Sequence, residues 1–364
     1  MSLLENRLKS KSAANEFGQT VKGVSLMMDA WRRLRRNRMA MTGMIIIIFY
    51  ALICFAAPLL PFYSYRQQVL EHQFLPPSLK PVKETLYQKR LAQLNREASR
   101  EGRSLNAEDQ RALEAYREQL ETQTFRLLSG EEILVNNQVY LLGTDALGRD
   151  VFSRIIYGGQ VSILIGLIGA LTSVFIGVVM GSLAGYIGGR FDSLIMRTVD
   201  IIYSLPYMLL VIIFMSMSAT NKIGNLFFAL AIVSWLTVCR VVRGQIISLK
   251  NSEFIEAAKT SGAGTLGLVF RHLIPNTSGI IVVYTTLRIP TFIMLEAFLS
   301  YLGLGVQPPL ASWGVLIHDG VTAMETFPWL LLAPAAAMSI FMFSMNFFGD
   351  GLRDALDPQS KNKL

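Results

Sequence analysis

Charge is scarce in this chain of 364 residues: Asp, Glu, Lys and Arg make up 16% of it, against 52% hydrophobic residues. So much apolar material exceeds what one soluble core of this size holds, which excludes a soluble domain. Cysteine is nearly missing. Cys54 and Cys239 lie far apart, each in or beside an apolar stretch, and this argues against a disulfide framework or a cysteine metal site. The three histidines, His72, His272 and His318, sit in separate polar segments, and the topology argued below puts His272 across a membrane from the other two, so they form no shared metal site. No phosphate-binding loop of the form Gly-x-x-x-x-Gly-Lys-Ser/Thr occurs. The nearest approach, Gly143 to Asp150, has Arg149 and Asp150 where the phosphate-binding lysine and the magnesium-binding hydroxyl are needed. The chain is therefore expected to hydrolyse no ATP and to be no enzyme. Carboxylates of the kind that ion-driven carriers bury in their spans are few as well: Asp200 and Glu296 are the candidates.

What is present is a series of six apolar stretches, at about 39–62, 161–186, 194–217, 225–249, 277–302 and 328–348, each long enough for a hydrocarbon layer about 30 Å thick. Residues 1–38 hold nine Lys/Arg, among them Arg32, Arg33, Arg35, Arg36 and Arg38, and three acids. A basic cluster directly before a span fixes the amino terminus in the cytoplasm, and the length of both parts disfavours a cleaved signal peptide. Six crossings return the carboxyl terminus to the same side. The short loops agree, because Arg190, Arg197, Arg240, Arg243, Lys250, Lys259, Arg271 and Arg353 fall on the inner side, while the outer loops after spans three and five hold only Lys222. The net charge of +8 thus reflects membrane topology and not nucleic-acid binding.

The resulting organisation is a cytoplasmic segment (1–38), a first span (39–62), an extracytoplasmic loop (63–160), a five-span core (161–350) with a cytoplasmic loop at 250–276, and a cytoplasmic tail (351–364). In the long loop, Tyr87, Leu91, Leu94 and Ala98 recur at helical spacing, Gly102 interrupts, and Leu113, Tyr116 and Leu120 resume, which predicts a self-folding helical hairpin over about 84–126. Asn106 and Asp109 have the spacing of a cap for its second helix. Span two carries Gly169, Ser173, Gly177, Gly181 and Gly185, a small residue at every fourth position, and is expected to pack closely inside a bundle. Pro206 and Pro290 fall inside spans three and five, where a proline bends a helix.

The loop between spans four and five carries Glu256-Ala257-Ala258-Lys259-Thr260-Ser261-Gly262 and then His272-Leu273-Ile274-Pro275-Asn276. Read physically, it offers a short helix with an exposed acid and small residues at 257, 258 and 262 that another protein's groove can approach, with Pro275 expected to stop the helix before span five. Glu-Ala-Ala-x-x-x-Gly followed by nine residues and His-x-x-Pro resembles the signature cytoplasmic loop of binding-protein-dependent ABC importer permeases. The generic signature has an aliphatic residue where His272 stands; the His-x-x-Pro-Asn form looks like the oligopeptide/dipeptide/nickel branch. Leu142 to Tyr157, Leu299 to Gly305, Ser312-Trp313-Gly314 and the tail from Gly349 to Pro358 are similar to the same branch, and the segment from Leu142 resembles its C-type, or second, permease. The departure is 66–135, longer than that branch's usual outer loop.

The resemblance implies an all-α membrane protein, a six-span helical bundle of the importer-permease type with an extracytoplasmic helical insertion, in the bacterial cytoplasmic membrane. It implies a coupling surface at Glu256, Ala257, Ala258, Gly262, His272 and Pro275, seated in a cleft of an ATPase subunit. It further implies a homologous second permease, one or two cytoplasmic ABC ATPases that use ATP and magnesium, and an extracytoplasmic substrate-binding protein, with no cofactor on this chain. The cargo is expected to be peptides, though the resemblance leaves nickel chelates and related small molecules open, since similar permeases carry them. An ion-coupled carrier or channel acting alone is the alternative, and a membrane scaffold recruiting partners through the outer hairpin is a third reading.

Overall fold

Asn37 divides the first helical stretch in two. In the computed structural model, which describes residues 26–126, 132–216 and 222–356, α1 (Leu26–Arg36) ends there and α2 (Arg38–Ala56) begins, with the Asn37 side chain accepting from the Ala40 amide at 3.2 Å. The rest of the expected cytoplasmic segment, residues 1–25, and Asp357 and Pro358 of the tail lie outside the described residues. One face of α1, Ala30 and Leu34, is buried against Phe348, Leu352 and Ala355 at the far end of the chain. The first span is shorter than its expected 39–62, since a 3₁₀ turn over Ala57–Leu59, started by Pro58, follows α2.

The segment between the first span and α5 contains α3 (Val82–Arg100) and α4 (Ala107–Thr122), which lie against each other, then a two-stranded antiparallel ribbon, β1 (Thr124–Arg126) and β2 (Glu132–Leu134), that an all-α expectation did not include. The periodic residues form the inner face, with Leu94, Ala98, Leu113 and Leu120 buried. Asn106 and Asp109 make a reciprocal capping box, each side chain accepting from the other's amide.

Among the described residues five helices are long and apolar enough to cross a membrane, and one bent pair passes the same test together. After α2 comes α5 (Val151–Ile187), 37 residues long. It starts ten residues before the expected 161, inside the stretch assigned to the loop, because Asp150 caps it from below: its carboxylate accepts from the amides of Phe152 and Ser153 and from the Ser153 hydroxyl at 2.6 Å. The third expected span, 194–217, is two helices, α6 (Gly189–Ser204) and α7 (Tyr207–Ser216), bent by 86° where Leu205 and Pro206 intervene. Proline has no amide for the preceding turn and forces the residue before it into an extended conformation; Leu205 obeys, at φ −86°, ψ 143°.

The remaining elements are α8 (Lys222–Leu249), the short α9 (Glu253–Thr260), α10 (Ser278–Tyr301), which runs through Pro290 unbroken, α11 (Trp313–Val321) and α12 (Trp329–Leu356). α12 continues to Leu356, into the stretch expected as the tail. The small-residue stripe of α5 packs mainly on α8. A Cβ added at Gly181 would lie 2.5 Å from the Cys239 carbonyl oxygen, and one at Gly177 2.6 Å from the Val238 Cβ, while the Ser173 hydroxyl donates to the Ser234 carbonyl at 2.8 Å. Gly169, further along, meets the Phe292 ring of α10 instead.

Candidate functional site

Two ends of the bundle carry polar constructions. At one, α9 is anchored chiefly by Ile255, fully buried in a cluster with Val242, Ile246, Leu268 and Val269 against which half-buried Ala258 also packs, while Glu253, Phe254, Glu256, Ala257 and Lys259 face outward. The helix closes in a Schellman arrangement, with the Gly262 amide donating to the Lys259 carbonyl and the Ala263 amide to that of Ala258. Gly262 stands at φ +85°, which L side chains rarely adopt, and nothing lies within 4 Å of a Cβ added there. The turn therefore requires this glycine before any partner is considered. Lys259 Nζ lies 5.9 Å over the Tyr186 ring at the end of α5.

Of the other residues singled out, Ala258 and His272 are half-buried and Pro275 is exposed. Pro275 does not stop the helix. A π-helical turn over Leu268–Leu273 runs into Ile274–Asn276, where proline occupies a first-turn position whose amide needs no partner, and the interruption comes at Thr277. Phe254, Leu266 and Phe270 are exposed around α9, an apolar patch on a surface otherwise carrying charge. Beside it, Arg243 of α8 makes a two-pronged ion pair with Asp192 of α6 at 2.5 and 2.6 Å, and Arg240 pairs with Asp200 while lying over the Tyr203 ring. Asp200 is thus an exposed, paired acid joining two helices.

At the other end, motifs distant in sequence converge on Glu296, which is fully buried. Its Oε1 accepts from the hydroxyls of Ser300 and Ser312, each at 2.6 Å, and Oε2 lies 3.4 Å from the Ser162 hydroxyl. Ser162 in turn accepts from the Trp313 amide, the buried Trp313 indole donates to the Ile155 carbonyl at 2.9 Å, and Ser312 caps α11. Gly314 lets α11 approach α10, since a Cβ there would lie 2.5 Å from Ala297 Cα. One acid thereby ties α5, α10 and α11 together. The sequence marked Glu296 only as an isolated intramembrane acid; nothing in the spacing of serines 162, 300 and 312 shows that they meet.

Asp145 organises the approach to α5. It accepts from the amides of Leu147 and Arg149, from Arg149 Nε at 2.7 Å and from Arg154 Nη1 at 2.5 Å, and Arg154 also lies 3.5 Å from Asp319. Gly143 and Gly148, both at positive φ, sit against the carbonyls of Leu75 and Val69. Between this segment and α4 lies His72, fully buried, with Nε2 at 2.8 Å from Asn136 Oδ1 and Nδ1 at 3.0 Å from the Tyr140 hydroxyl. Asn136 donates onward to the Leu120 carbonyl of α4. Burial holds the His72 imidazole below its ordinary pKa, and burial pushes the Asp150 carboxyl up against the pull of its hydrogen bonds. Among the described residues no group of three His, Cys, Asp or Glu side chains is arranged to hold a metal.

Two family profiles match. One, described as binding-protein-dependent transport system inner membrane component, covers residues 177–362; the other, the N-terminal TM domain of oligopeptide transport permease C, covers residues 25–77. Among similar curated proteins are the dipeptide transport system permease protein DppC of Bacillus subtilis, 37% identical over 95% of this chain and 90% of that protein, and the oligopeptide transport system permease protein OppC of Escherichia coli K12, 37% identical over 94% of each. OppC of Haemophilus influenzae is 46% identical over 61% of this chain and 71% of its own length. The match from residue 177 includes α9 and the segment through Pro275.

Proposed function

Because this chain belongs to the family of binding-protein-dependent transport system inner membrane components, we propose that it is the transmembrane permease subunit of an ATP-driven peptide importer in the bacterial cytoplasmic membrane. Peptide cargo follows from the relatives, which are named for dipeptide and oligopeptide transport. The bent pair α6–α7 counts as one crossing, which gives six spans and puts both termini in the cytoplasm, α3 and α4 outside, and the loop at 250–276 inside. A second permease completes the pathway, an extracytoplasmic binding protein delivers cargo, and one or two ATPases bind ATP and magnesium; this chain holds neither.

The observation that carries the reading is the construction of α9, a helix held to the bundle by Ile255 and half-buried Ala258, with Glu256, Ala257 and Phe254 facing outward and Leu266 and Phe270 exposed on the turn that follows it. Such a surface suits a protein cleft. When ATP closes the ATPases, α9 moves with them, and the contacts of α9 with the turn over Leu268–Leu273, of that turn with α5, and of Lys259 with Tyr186 pass that movement to the spans. The bundle then changes between inward-open and outward-open states, each favoured by a different ligand.

The test avoids Gly262, whose replacement would strain the turn itself. Ala257→Leu adds volume to an exposed helical position that tolerates it, so folding and insertion are retained. Overpacking a close contact costs about 1–3 kcal/mol, enough to weaken association roughly 5- to 150-fold. Glu256→Ala acts in the same direction more weakly, as expected for a charged contact at a partly wet interface. The measurement is copurification of the ATPases together with cargo-stimulated ATP hydrolysis in reconstituted membranes. Normal values of both for Ala257→Leu would remove α9 from the ATPase interface.

A further inference from the structure

Beside the Glu296 node, a cavity of about 520 Å³ opens between the loop after α10 and the segment before α5. It is lined by three guanidinium groups, Arg66, Arg149 and Arg154, and by one carboxylate, Asp319. Arg149 and Arg154 are neutralised by Asp145 behind the wall, and Arg154 also by Asp319. Arg66 is different: Nε donates to the Tyr65 hydroxyl at 2.9 Å, the guanidinium lies 5.2 Å from the centre of that ring, and among the described residues no carboxylate is within ion-pair distance of it. Three cations against Asp145 and Asp319 leave one positive charge in excess. His318 also lines the space, and its Nδ1 is buried without a hydrogen-bond partner.

A cavity of this size suits a small ligand or the end of a larger one. We propose that it receives the carboxylate end of a short peptide on its way into the pathway, with Arg66 as the counter-ion. This rests on the reading that the cargo is peptide. A peptide's terminal carboxylate is the same whatever its sequence, so one unneutralised guanidinium captures cargo without selecting among side chains. Guanidinium offers paired donors that match a carboxylate. An exposed arginine makes that capture weak, and weak capture is what a site along a pathway needs, because the cargo has to leave again.

The experiment uses the whole importer in proteoliposomes with its binding protein, comparing uptake of one labelled tripeptide as the free acid and as the carboxyl-terminal amide. Arg66→Gln should raise the half-saturating concentration for the free acid about three- to tenfold, the loss expected for a partly exposed charge-assisted contact, and leave the amide's value where the wild type has it. Arg66→Lys should restore part of the difference. An equal shift for acid and amide would mean that Arg66 meets a protein side chain, and would overturn the site, as would no shift for either. A wild-type importer that takes up neither form would instead refute the peptide reading, and the site with it.

Discussion

Replacing Glu296 separates a fastening role from a transport role. The carboxylate holds two short hydrogen bonds on one oxygen, from Ser300 and Ser312 at 2.6 Å; the 3.4 Å approach of Ser162 is too long to count for much. Hydrogen bonds between membrane helices average about 0.6 kcal/mol and reach about 1.7, so two of them amount to roughly 1–3 kcal/mol. Glu296→Leu should lower the stability of the purified protein by about that amount. Glu296→Gln keeps an acceptor in the same volume and should lose less than half of it. The coupling is measurable directly. Ser312→Ala should cost less in the Glu296→Leu background than in the wild type, because the bond it removes is already gone. Thermal unfolding in mild detergent supplies the stabilities, and uptake per folded molecule, with and without a protonophore, supplies the function. Additive effects of the two substitutions would refute the fastening role. Glu296→Gln that keeps its stability but abolishes protonophore-sensitive uptake would make the carboxyl a transport group and restore the ion-coupled alternative.

Gly181→Ala and Gly244→Ala make a contrasting pair: the first drives a methyl to 2.5 Å from a backbone oxygen and should destabilise by about 1–3 kcal/mol, whereas the second meets nothing within 4 Å and should stabilise by about 0.5–1 kcal/mol, with equal unfolding temperatures counting against the close α5–α8 contact. Acid should loosen the α3–α4 hairpin through His72, because its folded pKa lies below the ordinary 6.5 and the unfolded chain therefore binds the extra proton first. That contribution is complete above pH 6.5 and is lost as the pH falls toward the lowered folded value. Cleavage by an acid-tolerant protease in the α3–α4 turn should accelerate on going from about pH 7.5 to 5.5 in the wild type but not in His72→Gln, and an equal response in both would exclude His72 as the cause. Asp150, whose pKa burial raises, acts with the opposite sign, so the His72→Gln comparison is needed to isolate the histidine.

Long apolar runs, the two-helix hairpin and its Asn106 cap were legible because each depends on residues close together in the chain. The start of α5 was not, since Asp150 reads as part of a polar loop until its carboxylate is seen under the first turn. Pro206 marked a bend whose size, 86°, sequence does not encode. Pro275 misled because a proline stops a helix only where its missing amide would have had a partner; at a first turn it does not. The pattern around Glu256 to Pro275 is visible in the sequence, but the backbone φ that makes Gly262 a helix terminator is not. The Glu296 node and the Arg66 cavity were hidden for a different reason, being assembled from segments more than a hundred residues apart.

At 1.5 Å per residue the 37 residues of α5 form a rod about 56 Å long, nearly twice the thickness of a hydrocarbon layer. Near its first turns the carbonyl of Ile155 holds the Trp313 indole; near its last, Tyr186 lies under Lys259 of α9. The helix that flanks the polar node and the helix that flanks α9 are therefore one lever, with no hinge in its backbone between the two loads. Tilting a rod of that length by about 5° about one end carries the other by about 5 Å, roughly the pitch of one helical turn. Movement at the α9 end of the rod would therefore arrive at the opposite end as displacement, without any chain of side-chain rearrangements in between.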